Sequence, residues 1–283
     1  MIKRNAHAKI NWTLDILGTT ENGYHKMDMV MQCLSLSDPM TFEKREDGSV
    51  TLDILGSSLA ADDTNLVIRA AKTLQEWAHV PYGAHITMEK RIPMGAGLGG
   101  GSADAACAIH ALCQLWEIDM SFSDKCMLGA KLGADVPYCL YGHPARVGGI
   151  GELIEPITML RTYPMVLVQP CEALSTKEAF RHYDNTLGIP SPDTDACVAA
   201  FWAGDTASIA ASSRNVMQHA STLLRPRMAA CIDAMKETGA FLAQMTGSGS
   251  VVFAAYETDE AADAAYETLK ALYPTCIRTE TVL

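Results

Sequence analysis

Pro93-Met94-Gly95-Ala96-Gly97-Leu98-Gly99-Gly100-Gly101-Ser102-Ala103-Asp104-Ala105-Ala106 is the stretch on which the reading of this chain turns. Five of the seven residues from 95 to 101 are glycine. Each glycine costs roughly 0.5–1 kcal/mol in a regular element, so such a run needs a reason. Glycines let backbone N–H groups approach a ligand closely, and a helix opening after Ser102 adds unpaired N–H donors and the positive end of a dipole. Together they make a phosphate cradle, with Gly100 expected at a positive φ that a β-branched residue would resist. The plain alternative is a flexible connection followed by an N-cap serine.

Gly95, Gly97 and Gly100 also satisfy G-x-G-x-x-G, the dinucleotide-binding fingerprint, which is weak alone. That fingerprint wants its glycines tight against a buried parallel strand. Here Lys90, Arg91 and Pro93 intervene. No G-x-x-x-x-G-K-[ST], H-R-D, D-F-G, H-E-x-x-H or G-x-S-x-G occurs. P-loop enzymes, protein kinases, zinc peptidases and serine esterases are therefore disfavoured.

Upstream, alternation in Ala8-Lys9-Ile10-Asn11-Trp12-Thr13-Leu14-Asp15-Ile16 predicts a strand with its apolar residues on one face and Lys9, Asn11, Thr13 and Asp15 on the other. Further strands are expected at 50–55, 84–90, 164–169, 240–245, 251–256 and 276–282. Helices are expected at 65–79, 103–116, 124–132, 176–183, 196–203, 226–238 and 260–272. The glycine-rich stretch 148–158, with Pro156, is the expected domain boundary. A second glycine element, Thr246-Gly247-Ser248-Gly249-Ser250, joins two apolar strands. Alone it reads as a hairpin turn, and beside the first loop it becomes a candidate second clamp on a ligand.

Phosphoryl transfer to an alcohol needs a carboxylate to accept the hydroxyl proton and a cation near the transferring charge. Asp135, in Leu132-Gly133-Ala134-Asp135-Val136-Pro137, and Lys9 are candidates. By residue type alone they are a turn former and a solvated lysine.

The 283 residues, 48% hydrophobic and 19% charged, suit a globular chain of about two domains. A net charge of −11 repels nucleic acid and anionic lipid, so neither is an expected partner. The nine cysteines form no C-x-x-C pair, and no apolar run follows the basic start. Both suggest free thiols, no secretory signal and a cytoplasmic location. With no Cys/His cluster, Mg²⁺ carried with ATP is the only ion implied.

Taken together, the lysine-bearing first strand, the loop at 93–106 and the T-G-S-G-S-V-V-F-A segment resemble the GHMP kinases. Asn22-Gly23-Tyr24-His25, Gly133-Ala134-Asp135-Val136-Pro137 and Ser175-Thr176 followed by Phe180 are similar to the branch whose acceptor is a cytidine diphosphate sugar alcohol of isoprenoid biosynthesis. The resemblance implies an α+β fold of two domains, residues 1–157 ribosomal-protein-S5-like and residues 158–283 ferredoxin-like. It implies Asp135 as base with Lys9 beside it. It implies ATP held by Pro93, Met94, Gly95, Ala96, Gly97, Leu98, Gly99, Gly100, Gly101 and Ser102, with Asn65, Leu66 and Lys90 near adenine and Ser102 as a possible Mg²⁺ ligand. The acceptor would meet Asn11, Tyr24, His25, Thr176, Phe180, Gly247 and Ser248. Another GHMP kinase, or a metabolite-binding protein on the same fold, would keep the glycine loop; the first would lose the reason for Gly23-Tyr24-His25.

Overall fold

The computed structural model describes all 283 residues. In chain order the elements are β1 (Ile2–Thr19), β2 (His25–Arg45), β3 (Val50–Leu55), α1 (Leu66–Ala78), β4 (Gly83–Glu89), α2 (Gly100–Leu115), α3 (Phe122–Ala130), α4 (Val136–Tyr141), β5 (Ala145–Gly149), β6 (Leu153–Pro156), β7 (Pro164–Val168), α5 (Thr176–Tyr183), α6 (Thr194–Ala203), α7 (Thr206–Ser212), α8 (Met217–Leu224), α9 (Arg227–Glu237), β8 (Leu242–Met245), β9 (Val252–Ala255), α10 (Asp259–Lys270) and β10 (Cys276–Glu280). Compactness divides them otherwise than a cut after Ile157. The first unit comprises Met1–Ala8, Leu36–Ile92 and Gly99–Gly142, and the second Lys9–Ser35, Pro93–Leu98 and His143–Leu283. The physical reason is that β1 and β2 are long enough to give their two ends to different units.

In the first unit, β3 and β4 pair in parallel, Val50 opposite Ala84, so a crossover must join them, and α1 is that crossover. Asn65 starts α1 by accepting the Val67 N–H at 2.9 Å, and His79 ends it at φ 51°. The far half of β2 pairs antiparallel with β4, Met40 opposite Met88. Phe42, Ile86 and Leu74 are buried with the alanine-rich face of α2, and Trp116 anchors the end of that helix by donating to the Gly83 carbonyl at 3.1 Å.

In the second unit, β10, β7, β9 and β8 form a four-stranded antiparallel sheet in that order. With helices between β7 and β8 and between β9 and β10, this is the ferredoxin-like arrangement. Trp12 packs edge-on to Tyr163, Phe201 and Phe253 at centroid separations of 5.6, 4.9 and 5.7 Å, and donates to Gln32 at 2.8 Å.

Three expectations are corrected. The strand β2 is absent from the sequence reading because its alternation breaks at Pro39, which falls between the segment pairing with β5 (Met27–Met31) and that pairing with β4 (Met40–Arg45). The stretch 148–158, expected as a boundary, is the β5–β6 hairpin, and Gly149 and Gly151 supply its positive φ values. Finally, α2 opens at Gly100, three residues earlier than expected. Gly95, Gly97 and Gly99 carry the positive φ angles, whereas Gly100 is helical.

Candidate active site

In the second unit the polar face of β1 is as buried as its apolar face: Lys9 is 3% exposed and Asn11 1%. The solvated lysine that residue type suggests is not what forms. Lys9 donates through its backbone N–H to the Leu98 carbonyl at 2.9 Å, which ties β1 to the first glycine element. Its ammonium donates to Asn11 Oδ1 at 3.0 Å. That same oxygen accepts the Gly247 N–H at 3.1 Å, and the Asn11 N–H donates to Thr246 Oγ1 at 3.1 Å. Two residues on one strand face thus hold the second glycine element.

The two glycine elements touch. Ala96 and Leu98 are buried and anchor the loop, and the Ala96 carbonyl accepts from the Val251 N–H at 3.1 Å. A Cβ at Gly97 would overlap the Thr246 carbonyl, one at Gly247 would stand 2.9 Å from the Gly97 carbonyl, and one at Gly95 would stand 2.6 Å from Ala173 Cβ. The glycines are needed for this close approach as well as for their φ angles. Asn215 Nδ2 supports the turn from behind, donating to the Met245 and Gly247 carbonyls at 3.0 and 2.8 Å. Ser248 Oγ lies 3.0 Å from Thr176 Oγ1 at the start of α5. Pro93 and Met94 lead into the loop, with Met94 exposed.

Also in this unit, His25 lies flat on Phe180, ring centroids 4.4 Å apart and planes 17° from parallel, and its Nε2 is 2.8 Å from Asp184 Oδ1. Tyr24 stands 63% exposed in a turn closed by the Thr20 N–H donating to its carbonyl at 2.7 Å. The ring that faces Phe180 is therefore that of His25.

The first unit carries the other candidates. Gly99, at φ 67°, is the N-cap of α2, so Gly100, Gly101 and Ser102 form a first helical turn whose N–H groups lack intrahelical acceptors. Leu66 at the start of α1 reaches this turn: a Cβ on Gly101 would be 3.4 Å from Leu66 Cδ1. Asn65 spends its side chain on Val67 and on the Ala60 carbonyl, at 2.9 and 3.0 Å. Gly133 packs by Ser102, where an added Cβ would lie 3.6 Å from Ser102 Oγ. Two residues on, Asp135 takes the N-cap position of α4, but its carboxylate does not cap the helix.

Also in the first unit, Lys90 bridges two carboxylates, its ammonium 2.5 Å from both Asp38 Oδ2 and Asp104 Oδ2. Asp38 Oδ1 also accepts the Arg91 and Ile92 N–H groups at 2.5 and 2.8 Å. Burial pushes the Asp104 carboxyl up to about 7, against the pull of Lys90. The Lys90 ammonium is thus committed inside the protein. One carboxylate fixes the strand entering the loop and the other the helix leaving it.

Asp38, Asp104 and Asp184 are functional candidates that sequence reasoning passed over. Asp104 alone carried a signal, an acid amid five alanines; the rest become visible only through their partners. No group of three or more His, Cys, Asp or Glu side chains is arranged to hold an ion.

Residues 65–143 match the GHMP kinases N terminal domain and residues 197–275 the GHMP kinases C terminal domain. The chain is 35% identical over 272 residues, 96% of its length and 94% of the relative's, to 4-diphosphocytidyl-2-C-methyl-D-erythritol kinase of Alkaliphilus metalliredigens. It is 40% identical over 248 residues, 88% and 86% of the two lengths, to the protein of that name from Pelotomaculum thermopropionicum. A crystal structure of 4-(cytidine 5'-diphospho)-2C-methyl-D-erythritol kinase matches with a TM-score of 0.84 at 31% identity, covering 99% of each chain.

Proposed function

The chain belongs to the 4-diphosphocytidyl-2-C-methyl-D-erythritol kinase family of the GHMP kinases, and on that premise we propose how its residues carry the terminal phosphate of ATP to the 2-hydroxyl of 4-diphosphocytidyl-2-C-methyl-D-erythritol, in the non-mevalonate route to isoprenoid precursors. The observation that carries the assignment of roles is the join in the second unit, where Lys9 and Asn11 are hydrogen-bonded at the contact of the two glycine elements. Asp135 takes the proton of the acceptor hydroxyl. The freed oxygen bonds to the γ-phosphorus, the bond from that phosphorus to the β,γ-bridging oxygen breaks, and ADP leaves. Lys9 stabilises the charge on the attacking oxygen, with Asn11 fixing its ammonium. The loop from Pro93 to Ser102 receives the polyphosphate on backbone N–H groups, and Asn65, Leu66 and the Lys90 backbone border the adenine.

Mg²⁺ carried with the triphosphate would neutralise charge on its oxygens. An ion held mainly by phosphate and water would need few protein ligands, and Ser102 is the oxygen donor this chain would add. The cytosine end of the acceptor is received by Tyr24, His25 and Phe180, and its diphosphate by Thr176, Gly247 and Ser248. No helix is long and apolar enough to cross a membrane. All nine cysteines are free thiols, which suits a reducing compartment such as the cytoplasm.

The deciding experiment is ADP production in a coupled assay with 4-diphosphocytidyl-2-C-methyl-D-erythritol set beside mevalonate, homoserine and galactose. Turnover of the cytidine substrate alone is the expected result. Faster turnover of any of the other three would move the chain to a different branch of the GHMP kinases.

A further inference from the structure

Asp184 terminates α5 as its C-cap, its N–H donating to the Phe180 carbonyl at 2.9 Å. A carboxylate there lies at the negative end of the helix dipole, so helix stability does not call for it. Its side chain is half exposed, where a pairing with histidine adds little to the stability of the fold. What the contact does is orient a ring. His25 is held at two points, its face on Phe180 and its Nε2 on Asp184.

An ionised carboxylate can only accept, so the hydrogen of the neutral imidazole sits on Nε2, and Nδ1 is left as an acceptor. Cytosine presents an amino donor where uracil presents a carbonyl acceptor. An acceptor Nδ1 therefore suits the first base and opposes the second. We propose that Asp184 is the positioning residue through which His25 selects cytosine over uracil. The proposal rests on the reading of Tyr24, His25 and Phe180 as the base pocket.

The test is kcat/KM of the full-length chain for the cytidine diphosphate acceptor and for its uridine counterpart, in wild type, Asp184→Asn, Asp184→Ala, Asp184→Glu and His25→Ala. Asp184→Asn can donate its amide N–H to Nε2 and so move the ring hydrogen to Nδ1. It should lower the cytidine-to-uridine ratio by about tenfold or more, chiefly through KM for the acceptor. Asp184→Glu should restore most of the ratio. The ¹⁵N shifts of the His25 ring should report hydrogen on Nε2 in wild type and its loss from Nε2 in Asp184→Asn. A merely structural role would lower kcat/KM for both acceptors alike. If Asp184→Asn and Asp184→Ala keep the wild-type ratio while His25→Ala loses it, the proposal is overturned and the base pocket stands. If His25→Ala itself keeps the ratio, the base pocket falls and the proposal with it.

Discussion

The Lys9 ammonium donates to Asn11 Oδ1 at 3.0 Å, and that oxygen also takes the Gly247 N–H at 3.1 Å, so one side-chain amide couples the cation to the second glycine element. Lys9→Met should lower kcat about 10²–10³-fold, the range for losing one donor at developing charge, while ATP affinity by isothermal titration stays within about threefold. Tenfold weaker ATP with normal turnover would reassign Lys9 to the nucleotide.

Asp135 occupies the N-cap position of α4 and makes no side-chain cap to that helix. Asp135→Asn preserves shape and removes the base. The expected loss is about 10²–10⁴-fold in kcat with ATP binding near wild type. A variant retaining a third of wild-type turnover would take Asp135 out of the mechanism.

Gly97 combines φ 79° with a backbone neighbour in the space of a side chain. Gly97→Ala should raise KM for ATP about tenfold or more and lower Tm, because the loop must part from Thr246 to admit the methyl group. Gly148→Ala in β5 meets nothing closer than 3.7 Å and serves as the comparison, with Tm close to wild type. Equal behaviour of the two would mean that the loop is only a connector.

Removing Asp38 takes one of two carboxylates from the Lys90 ammonium and the acceptor from the buried Ile92 N–H. Asp38→Ala should destabilise the fold by about 3–5 kcal/mol in denaturant unfolding. The Asp104 carboxyl is raised to about 7 from an unfolded value of roughly 3.9, so between those limits the folded chain holds a proton that the unfolded chain has lost. Its contribution is full below pH 4 and is lost as pH rises through 7. The Tm of wild type relative to Asp104→Asn should therefore fall from about pH 5 to pH 8. A flat difference would show that Lys90 outweighs burial and keeps Asp104 ionised.

Elements whose cause is local are legible in the amino-acid sequence. The pattern at 65–79 predicts a helix, and α1 forms there with Asn65 and His79 as its caps. The run 93–106 favours a close-approach loop feeding a helix over a flexible connection, since five glycines in seven residues are costly without a neighbour to approach. Two apolar runs around Thr246–Ser250 sufficed for the β8–β9 hairpin.

Tertiary structure alone decided which polar groups meet. Alternation in β1 put Lys9 and Asn11 on one face but said nothing of what covers it, and the covering group, the Thr246–Gly247 backbone, lies 235 residues from Asn11. His25 and Asp184 are 159 residues apart, and Lys90 and Asp38 52. Strand and helix periods are set by neighbours a few residues away. The pairing of buried charges and donors is set by which distant segments exclude water together, and no local pattern encodes that partner.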